Sequence, residues 1–467
     1  MSRLRTSIAA LAVASAPLAA QQGTAPVVIS GVTVIPMTST RSIANATVLV
    51  QDGRIAAIHT GNTPALPAGA IRVDGRGKFL IPGLTDMHAH LYADEWVPDS
   101  LAPYELGVYL AHGVTTARLM IGTPVHLRLR RDIRAGRLLG PTLFVASPHV
   151  TGDGGKNALM ARTGDEARAA VRYAVDSGYD FVKLTTNITP EVFDAVVAEA
   201  RAKRIRLVGH VDPRVGVARA LAAGQQIEHL DNYMESVLAD SAPTRTSVSD
   251  VAAYRAANWQ SLNHVDMRKV EAIAGATARA GVFVTPTLGF FASWFATRTP
   301  EEVVTGRPDY RHIPPAMRNL YAGARANYWR NPPSDELRAR YLAVRNRLVR
   351  AIVDSGGKIM AGSDGPGGLQ GYGWMMHREL EALVAAGLSP HEALATATTI
   401  PAEFLGTGRE SGTVAVGMRA DLVLLAANPL DDIRNSSRID GVVVGGQWLD
   451  RARLDAMIEA ARMRLNP

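Results

Sequence analysis

Short apolar runs alternate with amphipathic stretches along most of the chain, in two textures. Near the start, Val27-Val28-Ile29-Ser30-Gly31, Ala46-Thr47-Val48-Leu49-Val50 and Arg54-Ile55-Ala56-Ala57-Ile58 are brief, β-rich and broken by turn residues. Asp52-Gly53 between the last two is a strong hairpin signal. The same texture returns in Ala420-Asp421-Leu422-Val423-Leu424-Leu425 and in Gly441-Val442-Val443-Val444-Gly445-Gly446-Gln447-Trp448-Leu449, which predicts that the two ends pair into one small β domain.

Between them, strand-like runs over 80–90, 114–119, 142–147, 180–184, 206–211, 226–229, 282–287 and 358–364 are separated by helical patterns. Strand and helix in turn predict a parallel α/β fold, and eight such units favour a closed (β/α)8 barrel over an open sheet. Three helix starts place a capping residue before a proline: Thr189-Pro190, Asp212-Pro213 and Ser389-Pro390. The stretch 290–335, with Trp294, Tyr310, Tyr321, Tyr328 and Trp329, is longer than a simple connection needs. It reads either as a helical lid or as plain aromatic core.

Composition narrows the chemistry. There is no cysteine, so a metal must be held by histidine, carboxylate or a modified lysine. The formal charge of +7 is spread thinly, without a basic run, so nucleic-acid binding is unsupported. Met1-Ser2-Arg3-Leu4-Arg5, then an uncharged apolar run from Ile8 to Ala20 and Gln21-Gln22-Gly23, reads as a secretory leader over 1–20. That run is too short to span a bilayer, so a periplasmic or secreted protein without a membrane span is expected.

The candidate chemistry sits at the strand ends. His88 and His90, two apart in a strand, face the same side and can grip one cation at a barrel mouth. Taken alone, the pair is equally compatible with structural histidines. Lys183, inside Asp180-Phe181-Val182-Lys183-Leu184, is costly if charged and unpaired, so either a nearby aspartate or a modification must compensate it. His210, His229 and Asp364 each close a further apolar run. A barrel core selects bulky aliphatic side chains, so polar residues ending strand after strand are what a catalytic mouth predicts. His59, His112, His126, His264, His312 and His391 read as surface or packing residues, and His377 leans the same way.

Taken in order, Pro82-Gly83-Leu84-Thr85-Asp86-Met87-His88-Ala89-His90, Gly113-Val114-Thr115-Thr116, Val182-Lys183, Gly209-His210, Glu228-His229, Gly362-Ser363-Asp364 and Gly412-Thr413-Val414 through Gly417-Met418-Arg419-Ala420-Asp421-Leu422 resemble the amidohydrolase superfamily. The likeness is strongest to its imidazolonepropionase-like branch, which includes Xaa-Pro and Xaa-Arg or Xaa-Lys dipeptidases and ochratoxin-type amidases. It covers nearly all of the chain after the leader. The implied architecture is a TIM barrel over 80–412 with a small β-sandwich domain from 27–79 and 413–467.

The resemblance implies two divalent cations, zinc being the first expectation. His88 and His90 would hold one with Asp364, His210 and His229 the other, and a carboxylated Lys183 would bridge them. The implied reaction is cleavage of an amide bond in a dipeptide or N-acyl amino acid by a metal-activated hydroxide, with Asp364 carrying the proton. A lactone, cyclic amide or phosphoester is the alternative substrate on the same centre, and a non-catalytic binding protein is the alternative from another class. The partner expected is a small-molecule substrate, and a homo-oligomer is compatible with the sequence.

Dipeptidases of this branch carry Gly-Gly-His after the third strand and a tyrosine soon after the sixth-strand histidine. This chain has Ser147-Pro148-His149 and His229-Leu230-Asp231-Asn232-Tyr233 there, so His149 and Tyr233 are candidate substrate contacts from shifted positions. Tyr372, in the glycine-rich loop after Asp364, is the third.

Overall fold

The computed structural model describes residues 25–61, 67–93, 97–242, 260–296, 333–366 and 371–465, with positions 313, 315, 318, 319 and 323. The expected leader, the aromatics Tyr310, Tyr321, Tyr328 and Trp329, and Gly367-Gly368-Leu369-Gln370 lie outside the described residues. In chain order the strands open with β1 (Val27–Val34), β2 (Ile43–Gln51), β3 (Arg54–Thr60), β4 (Ile71–Asp74), β5 (Phe79–Pro82) and β6 (Leu84–Ala89). They continue with β7 (Val114–Leu119), β8 (Thr142–Val145), β9 (His149–Thr151), β10 (Ala158–Met160), β11 (Phe181–Leu184) and β12 (Arg206–Gly209). The last are β13 (Gln226–Glu228), β14 (Phe283–Thr285), β15 (Lys358–Ile359), β16 (Leu422–Leu425), β17 (Ile439–Val444) and β18 (Gln447–Asp450).

The middle of the chain is parallel α/β, as its alternation of strand and helix predicts. β6-β7-β8 form a three-stranded sheet and β10-β9-β11-β12-β13-β14-β15 a seven-stranded one. Single parallel bridges join Ala146, just past β8, to Phe181 at the start of β11, and Ala89 at the end of β6 to Gly365. Backbone bonds run beside those bridges, from Ser147 N to Phe181 O at 2.9 Å and from Asp364 N to His88 O at 2.8 Å. Met87, Met120, Ala146, Phe181, Val208 and Met360, from or next to strands of both sheets, form a buried cluster with Phe404 of the helix Thr399–Leu405.

The two chain ends do pair. β16 lies antiparallel to β5 with Leu424 opposite Leu80, and one eight-stranded sheet runs β18-β17-β16-β5-β1-β2-β3 with β4 on β1. It has its own buried cluster, which includes Val27, Ile29, Val48, Leu80, Leu422 and Val443. The Asp52-Gly53 turn joins β2 to β3 with both residues at positive φ, +51° and +75°, as a two-residue hairpin of this type requires.

Three expectations change. The run 80–90 is two strands, because at Gly83 the chain leaves the end sheet and enters β6. A Cβ at Gly83 would stand 2.0 Å from Thr115 Oγ1, so only glycine allows this close crossing. Asp212-Pro213 does not start a helix: the Asp212 carboxylate takes the N–H groups of Ile188 and Arg214, and the helix begins at Gly216. β9 and β10 were unread, being three residues each, too short for a period of two to register. Thr189 and Ser389 do cap their helices, Ser389 in a reciprocal pair with Glu392. Among the described residues no helix is long and apolar enough to cross a membrane.

His377, in the helix Trp374–Ala385, is a packing residue whose two ring nitrogens meet Ser436 Oγ at 3.0 Å and the His112 carbonyl at 3.1 Å. A carbonyl accepts and a hydroxyl can donate, so the pair suits the neutral ring. Burial pushes its pKa down to about 4. The unfolded chain therefore takes up this proton first, and stability falls as pH drops from about 6.5 towards 4. Removing the group in His377→Gln should flatten this acid limb by roughly 3 kcal/mol, as the difference in urea-unfolding free energy between pH 7 and 4. An unchanged slope would contradict it.

Candidate metal centre

At the ends of β6, β12 and β13, and in the turns after β14 and β15, polar side chains converge. His88 is almost fully buried and His90 follows it at the mouth. The chain after β15 passes close by, because a Cβ on Gly362 would lie 2.8 Å from His88 Cβ and 2.4 Å from Thr285 Cγ2. Asp364 then turns its carboxylate inward, with Oδ1 at 3.5 Å from His88 Nε2 and 3.3 Å from His90 Nε2. Two donors about a tetrahedral cation at ~2.05 Å stand about 3.3 Å apart. The spacing fits, and the donor atoms of His88, His90 and Asp364 all lie within 4.8 Å of one another.

His229 and His210 continue the cluster, with ring centroids 4.6 Å from His88 to His229 and 4.9 Å from His229 to His210. His229 Nδ1 is 4.0 Å from Asp364 Oδ2. Three of the four imidazoles have Nδ1 occupied: His88 by Glu228 at 2.7 Å, His210 by Asp231 at 2.8 Å, His229 by Thr287 Oγ1 at 2.8 Å. A partner on Nδ1 sets the ring's orientation and leaves Nε2 as the coordinating nitrogen, which is how metal-binding histidines are normally held.

Lys183 is 2% exposed at the end of β11. Burial pushes its ammonium down to about 8, against the pull of Glu228 and Asp364. The lowered pKa raises the share of free amine above that of an exposed lysine, and the free amine can add carbon dioxide, which would make it an anionic oxygen donor. The donor set, four imidazoles, one carboxylate and this lysine, therefore fits divalent cations of the zinc and manganese kind.

Backbone conformation sharpens the picture. His229, Thr287 and Asp364 adopt positive φ of +59°, +48° and +52°. For a β-branched threonine this is a strained geometry, and such strain collects where function demands it. Thr287 and His229 bond to each other, so the strain lies in the groups that orient one ring.

Beneath the cluster lies a buried pair that sequence reasoning passed over. Arg118 and Glu228 are both fully buried, 2.6 Å apart. Arg118 also donates to Met87 O at 2.6 Å and to Gln226 Oε1 at 2.8 Å. Glu228 thus binds Arg118 with one oxygen and His88 with the other. The available signal was a charged residue in the middle of an apolar strand.

The three candidate substrate contacts fare differently. His149 sits on β9, and burial together with Lys183, His210 and His90 pushes its pKa down to about 3, which places it beside the cluster. Its Nε2 is buried without a hydrogen-bond partner among the described residues. Tyr233 is not brought to the mouth: it is fully buried, with its hydroxyl 2.8 Å from Thr277 in the helix Met267–Ala280. Tyr372 is likewise buried, bonded to Glu105 and packed edge-on against Tyr92 and Tyr109. Both hydroxyls thus end in hydrogen bonds inside the protein. His126 and His391 meet backbone carbonyls away from the cluster.

The sequence profile described as "Amidohydrolase family" matches residues 79–449. An imidazolonepropionase from Saccharopolyspora erythraea is 33% identical over 159 residues, 33% of this chain and only 38% of that protein's length. Among solved structures, a bottromycin amidohydrolase superposes with a TM-score of 0.73 at 25% identity, covering 94% of this chain and 90% of that one. A Xaa-Pro dipeptidase with methionine bound in its active site shares the fold, with a TM-score of 0.63 at 20% identity over 91% and 100% of the two chains.

Proposed function

The chain belongs to the amidohydrolase family, and from that membership we propose that it is an exported, metal-dependent hydrolase cleaving an amide bond in a dipeptide or an N-acyl amino acid. The names of bottromycin amidohydrolase and of Xaa-Pro dipeptidase support the amide as the bond at issue. The architecture that goes with this reading is a closed (β/α)8 barrel over 80–412, supported by the two bridges between its parallel sheets. Its companion is a small β-sandwich domain from 27–79 and 413–467, supported by the pairing of both chain ends in one sheet and by the antiparallel bridge between Arg54 and Arg419.

The carrying observation is the convergence of His88, His90 and Asp364, with the Nδ1 atoms of His88, His210 and His229 already taken. We assign His88, His90 and Asp364 to one cation, His210 and His229 to a second, and carboxylated Lys183 between them. Cations bound there would acidify a water molecule and polarise the scissile carbonyl. Asp364 keeps 19% of its side chain exposed, so it can accept the water's proton and return it to the departing nitrogen. The water oxygen adds to the carbonyl carbon, and the C–N bond breaks when that tetrahedral adduct collapses; the proton taken up by Asp364 goes to the departing nitrogen, leaving a carboxylic acid and an amine. His149, with its open Nε2 beside the cluster, is placed to hold the substrate's carboxylate or carbonyl.

The test is metal analysis together with a substrate screen. Protein purified with zinc or manganese should carry at least one equivalent and hydrolyse members of a panel of Xaa-Pro, Xaa-Lys and N-acyl amino acids. Dialysis against a chelator should abolish the activity, and re-addition of metal should restore it. Less than one equivalent with no amide hydrolysis would overturn the proposal, and hydrolysis confined to lactones would move the substrate class.

A further inference from the structure

The helix α1 (Ala102–Ala111), which follows β6, is nearly all apolar, yet it buries a carboxylate and a phenol completely. Glu105 and Tyr109 are four apart, so they share one face. Tyr109 Oη lies 2.9 Å from the carbonyl of His90 and 2.9 Å from the carbonyl of Gly365. Its single proton is shared between the residue that ends the first ligand strand and the residue after Asp364. One turn earlier, Glu105 accepts the backbone N–H of Tyr92 at 2.8 Å and of Ala93 at 3.0 Å, and the hydroxyl of Tyr372. One helix thus grips the chain just past His90 and again just past Asp364.

We propose that Glu105 and Tyr109 are positioning residues that hold His90 and Asp364 at ligating distance and so set how long a divalent cation stays bound. This inference rests on reading His88, His90 and Asp364 as cation ligands. Among the described residues His90 has no side-chain partner on Nδ1 of the kind that His88, His210 and His229 have, so its placement depends on its backbone. That backbone is fixed from Gly365 on one side, by His90 N to Gly365 O at 2.8 Å, and from Tyr109 on the other. Without the phenol, the two turns keep their mutual bond but lose the support that faces them. Loss of a partner behind a metal ligand typically weakens binding about 10–100-fold.

The experiment follows zinc release from the full-length protein into excess chelator, with thermal melts of the chelated protein alongside. Tyr109→Phe should release zinc at least ~10-fold faster than wild type. Val48→Ala, in the end sheet, should lower the melting temperature yet release zinc at the wild-type rate. Glu105→Gln keeps the side chain's shape but sets a donor against one of the two amides, and should also release zinc faster. It supplies the same readout if Tyr109→Phe does not fold. Wild-type release rates in both variants would overturn the inference, as would a faster release that Val48→Ala reproduces at equal melting temperature. A wild type that takes up no zinc overturns the ligand reading, and the inference with it.

Discussion

Asp364→Asn is expected to lower turnover by about 10²–10⁴-fold while the protein keeps its fold. The backbone at this position has φ +52°, and asparagine tolerates the left-handed region about as well as aspartate does. The substitution therefore removes charge and basicity with little added strain. Asparagine still offers an oxygen near His88 and His90, but it cannot take a proton from water at neutral pH. Steady-state kcat on the best amide of the panel, with circular dichroism and metal content measured on the same samples, reads the effect. Turnover near wild type with metal retained would remove Asp364 from the proton-carrying role.

The largest expected change in stability comes from Arg118→Met. The substitution leaves Glu228 at zero exposure without the guanidinium that pairs its Oε1, and breaking a buried pair in this way costs about 3–5 kcal/mol. Methionine restores much of the volume, so the cost reports electrostatics more than a cavity. In the double variant Arg118→Met/Glu228→Gln the uncompensated charge is gone, and most of the lost stability should return. Urea unfolding of the single and double variants decides the matter. A single-variant cost below about 1 kcal/mol would show that Glu228 is not held by Arg118 as the geometry requires.

What was legible in the sequence has a physical pattern. His88, His90, His210, His229 and Asp364 stood out because each interrupts or ends a run whose apolar character is set by burial, and the structure gathers all five. The pairing of the two chain ends was visible for the same reason, as β-branched runs with turn residues between them. Residues that hold the cluster from behind were harder to see. Asp231 and Thr287 are short polar residues in turns, where such residues are ordinary. Arg118 lay inside a run counted as apolar, and Glu105 was a lone acid on a helix, a position usually solvated. Tyr233 and Tyr372 show the converse, since proximity in sequence to a ligand says nothing about which way a ring points. The crossing at Gly83 was hidden because the apolar pattern runs unbroken through it, and only the approach of Thr115 reveals the change of sheet.

Tyr109 and Gly365 are 256 residues apart in the chain, and the outer side of α1 is covered by the C-terminal helix Arg451–Leu465, with Met457 over Gly107 and the Arg464 guanidinium 5.8 Å from the Tyr104 ring. Synthesis runs from the amino end, so α1 meets Tyr92, Ala93 and the His90 carbonyl at once but waits for most of the polypeptide before Gly365, Tyr372 and its outer cover arrive. A nascent or clipped chain that lacks this last segment would leave the outer side of α1, Gly107 and Tyr104 included, uncovered.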